Sequence, residues 1–110
     1  MATGDAPVLE ALVELNAVSL ARTELDARSL MLVRLAALAA VDAPAVSYLM
    51  HIGPSLDAGL TLKDAEDVLV AVAPIVGAPR TASAAAKISE ALNLAIQTEM
   101  EIEIALDESA

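Results

Sequence analysis

Residues 41–61, VDAPAVSYLMHIGPSLDAGLT, constrain the fold more than any other part of the chain, because they combine its single histidine with several helix boundary signals. The pattern predicts a helix from Ala43 to roughly Ala58, disturbed by Pro54, which cannot donate a backbone hydrogen bond. Gly59 predicts the helix end, since glycine readily adopts the left-handed conformation that follows many helices. Thr61 is a typical N-cap, so another helix is expected directly after it. The stretch therefore predicts two helices joined by a tight turn.

Apolar residues recur at intervals of three and four along the rest of the chain, which is typical of amphipathic helices. Capping residues, prolines and glycines mark where each helix begins and ends. The chain is thus predicted to be an all-α bundle of about five helices, the others being Pro7–Arg22, Ala27–Ala40, Leu62–Val76 and a last helix from Pro79 past Leu94. We expect residues 1–6 to be a disordered N-terminus and residues 7–98 to form one helical domain.

The composition is unusually apolar for a chain of 110 residues, with 57% hydrophobic residues and a mean hydropathy of +0.64. A small domain buries only part of its surface, so the remaining apolar side chains need a partner, and we expect self-association. A membrane is not the expected partner, because the longest apolar runs, residues 30–41 and 68–78, are shorter than the roughly 18 to 20 residues of a spanning helix. The absence of cysteine and of a signal-like segment favours a cytoplasmic location.

The charge balance excludes further classes of function. Six Lys and Arg face 16 Asp and Glu, and the formal net charge of −10 repels nucleic acid. One tyrosine, with no tryptophan or phenylalanine, offers no stacking surface for bases. Without cysteine the chain has no catalytic thiol, and a single histidine leaves a zinc site short of its usual ligands. We expect no metal and no cofactor.

The C-terminal segment, residues 99–110, is acidic and has an ambiguous pattern. Between Glu99 and Leu106 apolar residues alternate with mostly acidic ones, which is the period of a strand. Two interpretations stay open: a continuation of the last helix, which we favour, and a strand-like arm packed on a neighbouring subunit. Alternating glutamates without histidine have no defined metal geometry, so a solvated acidic face is expected rather than a metal site.

Three segments carry a resemblance to a known family. They are LDARSLMLVRLAALAAV at residues 25–41, HIGPSLDAGLT at residues 51–61 and LVAVAPIVGAPRTASAA at residues 69–85. In order and spacing they resemble the first core helix, the histidine with its helix-ending glycine and threonine, and the Gly-x-Pro turn of the carboxymuconolactone decarboxylase-like family, which includes the AhpD-like alkylhydroperoxidases. The resemblance implies an all-α bundle that assembles into homotrimers or homohexamers.

The chain departs from both branches of the family that it resembles. The peroxidase branch has Cys-x-x-Cys-x-x-x-His, and counting back from His51 the two cysteine positions are Ser47 and Pro44, which cannot form a disulfide. In the decarboxylase branch a basic residue often follows the histidine by two positions and a second histidine lies on the next helix. Here those positions are Gly53 and Ala71. Cysteine-dependent peroxidase activity is therefore not expected.

His51 is the candidate catalytic residue, because histidine titrates near neutral pH and can act as a general acid or base. Tyr48 and Ser47, within one turn of it, are candidate ligand-binding residues. The competing and favoured interpretation is structural: a partly buried histidine bonded to a backbone carbonyl that Pro54 leaves free.

Two arginines are candidate ligands for a carboxylate. Arg80 follows the Gly-x-Pro turn, and Arg34 lies in a nearly all-apolar helix, where a buried guanidinium requires an acidic partner. That partner is either a bound ligand or a protein acid, and we favour a protein acid, namely Asp42, Glu66 or Asp67.

Two functions are compatible with these residues. The first, which we favour, is a degenerate oligomeric scaffold or partner protein, since two polar positions of the family have been lost while the packing residues remain. The alternative is a decarboxylase-like enzyme, or a binder of a small carboxylate, that uses His51 as acid or base.

Overall fold

The computed structural model describes residues 6–109, which contain five α-helices and no strand. The helices are α1 Ala6–Arg22, α2 Ala27–Ala40, α3 Ala45–Asp57, α4 Leu62–Val76 and α5 Ala78–Ser109. The predicted all-α fold of five helices is thus confirmed. Of the predicted disordered N-terminus, residues 1–5 lie outside the described residues, and Ala6 is already the first residue of α1. No helix within residues 6–109 has the length and hydropathy needed to cross a membrane.

Side chains fix the predicted helix boundaries. Asp26 caps α2 by accepting a hydrogen bond from the Ser29 backbone nitrogen at 2.7 Å, and the hydrogen bonds from Ser29 lower the pKa of Asp26. At α4 the Thr61 hydroxyl accepts from the Asp64 backbone nitrogen at 3.2 Å, while the Asp64 carboxylate accepts from the Thr61 nitrogen at 2.8 Å. Gly59 has the positive φ of 83° that the tight turn requires. The turn and the Thr61 cap follow the sequence prediction.

The core lies among α2, α3, α4 and α5, and α2 packs against the other three. Small residues dominate it, and alanines on α5 let the α3 backbone approach closely. The buried residues of this core are Ala39, Ala43, Tyr48, Leu69, Ala84 and Ala91.

The loop between α2 and α3 is anchored on α5. Asp42 adopts a left-handed φ of 52°, which is uncommon outside glycine. Its carboxylate accepts hydrogen bonds from the Ser83 hydroxyl at 2.8 Å and from Lys87 Nζ at 2.9 Å, and these two bonds, Lys87 first, lower the pKa of Asp42. Arg80 donates to the Ala40 carbonyl at 3.0 Å and so satisfies an open end of α2. These contacts hold the start of α3 against α5.

Helix α1 stands apart from this core. None of its Cα atoms comes within 8 Å of a Cα atom in another of the described helices. Its seven large apolar side chains are all 46–69% exposed; they are Val8, Leu9, Leu12, Val13, Leu15, Val18 and Leu20. The apolar face of this helix therefore packs against no other helix within residues 6–109.

The second half of α5, defined here as residues 92–109, also extends beyond the core. It is helical to Ser109, so the favoured interpretation of the C-terminal segment is confirmed and the strand-like arm is wrong. Its large side chains from Leu94 to Leu106 are 42–64% exposed. Ile96 is among them, at 55% exposure, because the bundle does not cover this part of α5.

Candidate functional site

A cavity of about 110 Å³ lies between α2, α3, α5 and the start of α4, and Tyr48 and His51 both line it. The other polar residues in its wall are Ser55 and Thr61. The remaining lining is apolar and consists of Met31, Leu35, Ile52, Leu56, Leu60, Leu62, Ala65, Ile88, Ala91 and Leu92. No arginine or lysine contributes to the wall.

The cavity reaches the surface at the turn between α3 and α4. Leu56 and Leu62 line it while remaining 64% and 57% exposed. The turn also places Leu60, which is buried, in the wall. A small molecule can therefore enter beside this turn without opening the core.

His51 is held by its own helix. Its Nδ1 atom lies 2.7 Å from the Ser47 carbonyl oxygen, and since a carbonyl only accepts, Nδ1 carries the proton. In a neutral imidazole this leaves Nε2 as an acceptor, and Nε2 has no hydrogen-bond partner among residues 6–109. The predicted backbone bond is present, but its assignment to Pro54 is wrong. Pro54 lies inside α3 and leaves free the carbonyl of Met50, one turn before it, not that of Ser47.

Tyr48 is the most enclosed polar residue of the site, at 3% exposure. Its hydroxyl is the one buried side-chain polar atom that has no hydrogen-bond partner within the part of the chain that the structure describes. Burial, with a smaller contribution from the charge of Asp42, raises the pKa of Tyr48. The hydroxyl is therefore protonated at neutral pH.

Arg34 contacts α1 instead of the cavity. Its Nη1 donates to Asn16 Oδ1 at 2.7 Å, and its Nη2 donates to the Ser19 hydroxyl at 3.1 Å. The favoured prediction of an acidic protein partner for Arg34 is wrong. The guanidinium is not fully buried, so neutral acceptors are sufficient, and the side chain of Asp42 is already bonded to Ser83 and Lys87.

The remaining predicted site residues also lie off the cavity wall. Ser47 contributes its carbonyl to His51, and Arg80 contributes its guanidinium to the end of α2. The structure thus brings together Tyr48 and His51, and it does not bring Ser47, Arg34 or Arg80 to the same cavity. Within residues 6–109 no group of three or more acidic or histidine side chains is arranged to hold a metal ion.

Ser55, in the cavity wall, is not among the predicted site residues. It lies one helical turn after His51 on the same face, and this spacing is a signal that could have identified it.

An ion pair beside the cavity is likewise absent from the sequence prediction. Arg28 makes two hydrogen bonds to Asp64, at 2.7 and 3.1 Å, and one to the Gly59 carbonyl at 3.3 Å. These bonds hold the turn that supplies Leu60 and Thr61 to the wall. The Arg28 guanidinium, followed by the Thr61 backbone nitrogen, holds the pKa of Asp64 well below its usual range. Opposite charges 36 residues apart give no signal in a single sequence.

The described bundle places the single histidine of the sequence beside an apolar cavity. Because the 110 residues include no cysteine, they supply no thiol for disulfide chemistry. Residues 6–91 match the carboxymuconolactone decarboxylase family, and the protein belongs to that family. No curated protein and no solved structure matches the chain. The matched residues end at Ala91, just before the second half of α5 begins.

Proposed function

We propose that this protein is a self-associating, non-enzymatic member of the carboxymuconolactone decarboxylase family, a scaffold or partner protein that binds further copies of itself. The surfaces assigned to this binding are the apolar face of α1 and the second half of α5. The observation that carries the proposal is α1, because all of its large apolar side chains are at least 46% exposed although they have the pattern of a buried helix.

The size of the exposed surface supports the same conclusion. The chain exposes 7660 Å², whereas a compact monomeric domain of 11.2 kDa exposes about 5700 Å². The radius of gyration is 16.0 Å, compared with about 13 Å for a compact chain of this length. The surplus area, roughly 2000 Å² per copy, is enough for a stable interface.

The second half of α5 supports more than one neighbouring copy. At 3.6 residues per turn, Ile102 and Leu106 continue the stripe of the buried Ala91, while Met100 and Ile104 form a stripe on the other side of the helix. Two apolar stripes separated by acids can contact two helices at once. This arrangement favours a closed assembly such as a homotrimer, or a homohexamer built from trimers.

The alternative, a decarboxylase-like enzyme or small-carboxylate binder, is supported by His51 and Tyr48 at one cavity. It is disfavoured by the largely apolar wall, because a carboxylate there would lose its hydration without gaining an arginine or lysine partner. A cytoplasmic location remains a prediction that rests on the lack of cysteine.

Light scattering coupled to size-exclusion chromatography tests the proposal. The native protein should elute as an oligomer at micromolar concentration, and Leu12→Glu, at the centre of the apolar face of α1, should shift the mass toward the monomer. Ala17→Glu adds the same charge to the acidic side of the same helix, beside Glu10 and Glu14, and should leave the mass unchanged. A native monomer, or equal behaviour of the two variants, would contradict the proposal.

The enzymatic alternative has a separate test. In that case His51→Ala should abolish lactone decarboxylation while the oligomer persists. Under the proposal there is no turnover to lose, and the variant changes only stability or assembly.

A further inference from the structure

We infer that self-association pairs two different surfaces, so that the apolar face of α1 in one copy binds the second half of α5 in a neighbouring copy. The inference rests on the proposed self-association, and it adds which surface binds which. Each copy then offers a different surface to each of two neighbours, and such head-to-tail contacts close into a ring when the rotation between copies allows it.

The charges of the second half of α5 oppose contact between two such halves. Residues 92–109 contain five acids and no lysine or arginine. By helical periodicity, Glu99 and Glu103 border the stripe of Ile102 and Leu106. Two second halves packed along this stripe would bring the acids of both copies together, and like charges in an interface oppose association. The second half of α5 therefore needs a partner helix that has no acids on its apolar face.

The apolar face of α1 meets this requirement. Its two acids, Glu10 and Glu14, lie on the side opposite Leu12, which is at the centre of the apolar face. The 17 residues of α1 extend about 25 Å, and the second half of α5 extends about 27 Å, nearly the same length. Because no Cα atom of α1 lies within 8 Å of another described helix, α1 does not cover its own α5. The two surfaces can thus pair between copies.

A cation on the face of α1 favours this pairing over contact between two α1 helices. Arg34 of α2 donates hydrogen bonds to Asn16 and Ser19. These acceptors lie four and seven positions after Leu12, on the same face of α1. Both are neutral, and no acid within residues 6–109 forms a salt bridge with Arg34. Two α1 faces in contact would bring two guanidinium cations together, whereas the second half of α5 brings acids to this guanidinium.

Cross-linking tests the pairing directly, because the native chain has no cysteine and a single introduced thiol is unique. Leu12→Cys and Ile102→Cys are mixed in urea, refolded together and treated with a short bismaleimide. A cross-linked dimer should form in the mixture and be absent when either variant is treated alone, since neither surface meets its own counterpart. Ala17→Cys, on the acidic side of α1, mixed with Ile102→Cys is the matched control and should give no dimer. A dimer from either variant alone, or none from the mixture while the protein remains an oligomer, overturns the inference.

Charge variants provide a second measurement that does not depend on a thiol. Leu12→Glu blocks the face of α1 and Ile102→Glu blocks the second half of α5, so each variant alone should be monomeric by light scattering. Their mixture at high concentration should give a discrete dimer, because one intact surface of each kind remains and the pair cannot extend further. Variants that are each dimeric alone, or a mixture that stays monomeric, would contradict the inference. A monomeric native protein contradicts the proposed function instead, so the two failures are distinguishable.

Discussion

The two halves of α5 belong to one uninterrupted helix, yet their surroundings differ completely. Residues 78–91 place small side chains such as Ala84 and Ala91, at 1% and 0% exposure, against the other helices. Residues 92–109 carry larger apolar side chains and leave them exposed. The helix therefore does not end where its partners end. The first half thus contributes side chains to the bundle core, whereas the second half presents apolar surface that no other described helix covers.

The largest effect is expected for a substitution in the first half of α5, and it concerns the free energy of unfolding. Ala84→Leu inserts three carbon atoms at a fully buried position of the core and should lower the free energy of unfolding by about 1 to 3 kcal/mol. Ala105→Leu makes the same change at an exposed position of the second half and should stay within about 0.5 kcal/mol. Urea unfolding at a concentration below that of association measures both. An equal loss of free energy of unfolding at the two positions would contradict the difference in packing between the two halves of α5.

A smaller effect is expected in the second half, and it concerns association instead of folding. Ile102→Lys should weaken self-association about tenfold or more, because an apolar side chain that is buried between copies becomes charged. Ala105→Lys, beside Glu101 and Glu108, adds the same charge on a polar side and should have little effect. Sedimentation equilibrium measures the association constant. An unchanged association constant in Ile102→Lys would contradict the assignment of this half of α5 to the interface.

The smallest expected effect is on the pH dependence of the stability of the bundle. Because Arg28 lowers the pKa of Asp64 in the folded chain, this carboxylate stabilises the bundle above the pKa of the unfolded chain, about 4, and the contribution is lost as the pH falls further. The urea midpoint should therefore decrease below about pH 4. Asp64→Asn should reduce this decrease, whereas Asp57→Asn, at an exposed position without a side-chain partner among residues 6–109, should not. An identical pH profile in the three proteins would refute the assignment to Asp64.

Most of the fold could be predicted because its signals are local. Asp26 and Thr61 act as caps through neighbouring backbone groups, and Gly59 ends a helix through its own backbone freedom. The second half of α5 was ambiguous for a physical reason: its apolar residues lie on two opposite stripes, which also reads as strand period. Continuity with a well-formed helix decided its structure.

The site was harder to predict, because the ends of long side chains are placed by tertiary packing. His51 and Tyr48 lie within one turn of each other, so sequence spacing suffices to bring them together. The apolar helix of Arg34 predicts an acidic partner for its guanidinium. The side chain instead reaches Asn16 and Ser19 on α1, and the sequence does not indicate where α1 lies. Arg28 and Asp64 meet only because α2 and α4 pack together.

The length of α5 has a consequence for the lifetime of a single copy. Its 32 residues extend about 48 Å, nearly the longest dimension of the molecule, 51 Å. A helix end without lateral contacts opens locally at little cost, so its amides exchange and its peptide bonds become accessible while the bundle stays folded. Under the proposed self-association, a protease that trims an unassembled copy removes the surface that the copy needs to join others. Assembly would then protect each copy from degradation, and surplus copies would be lost first.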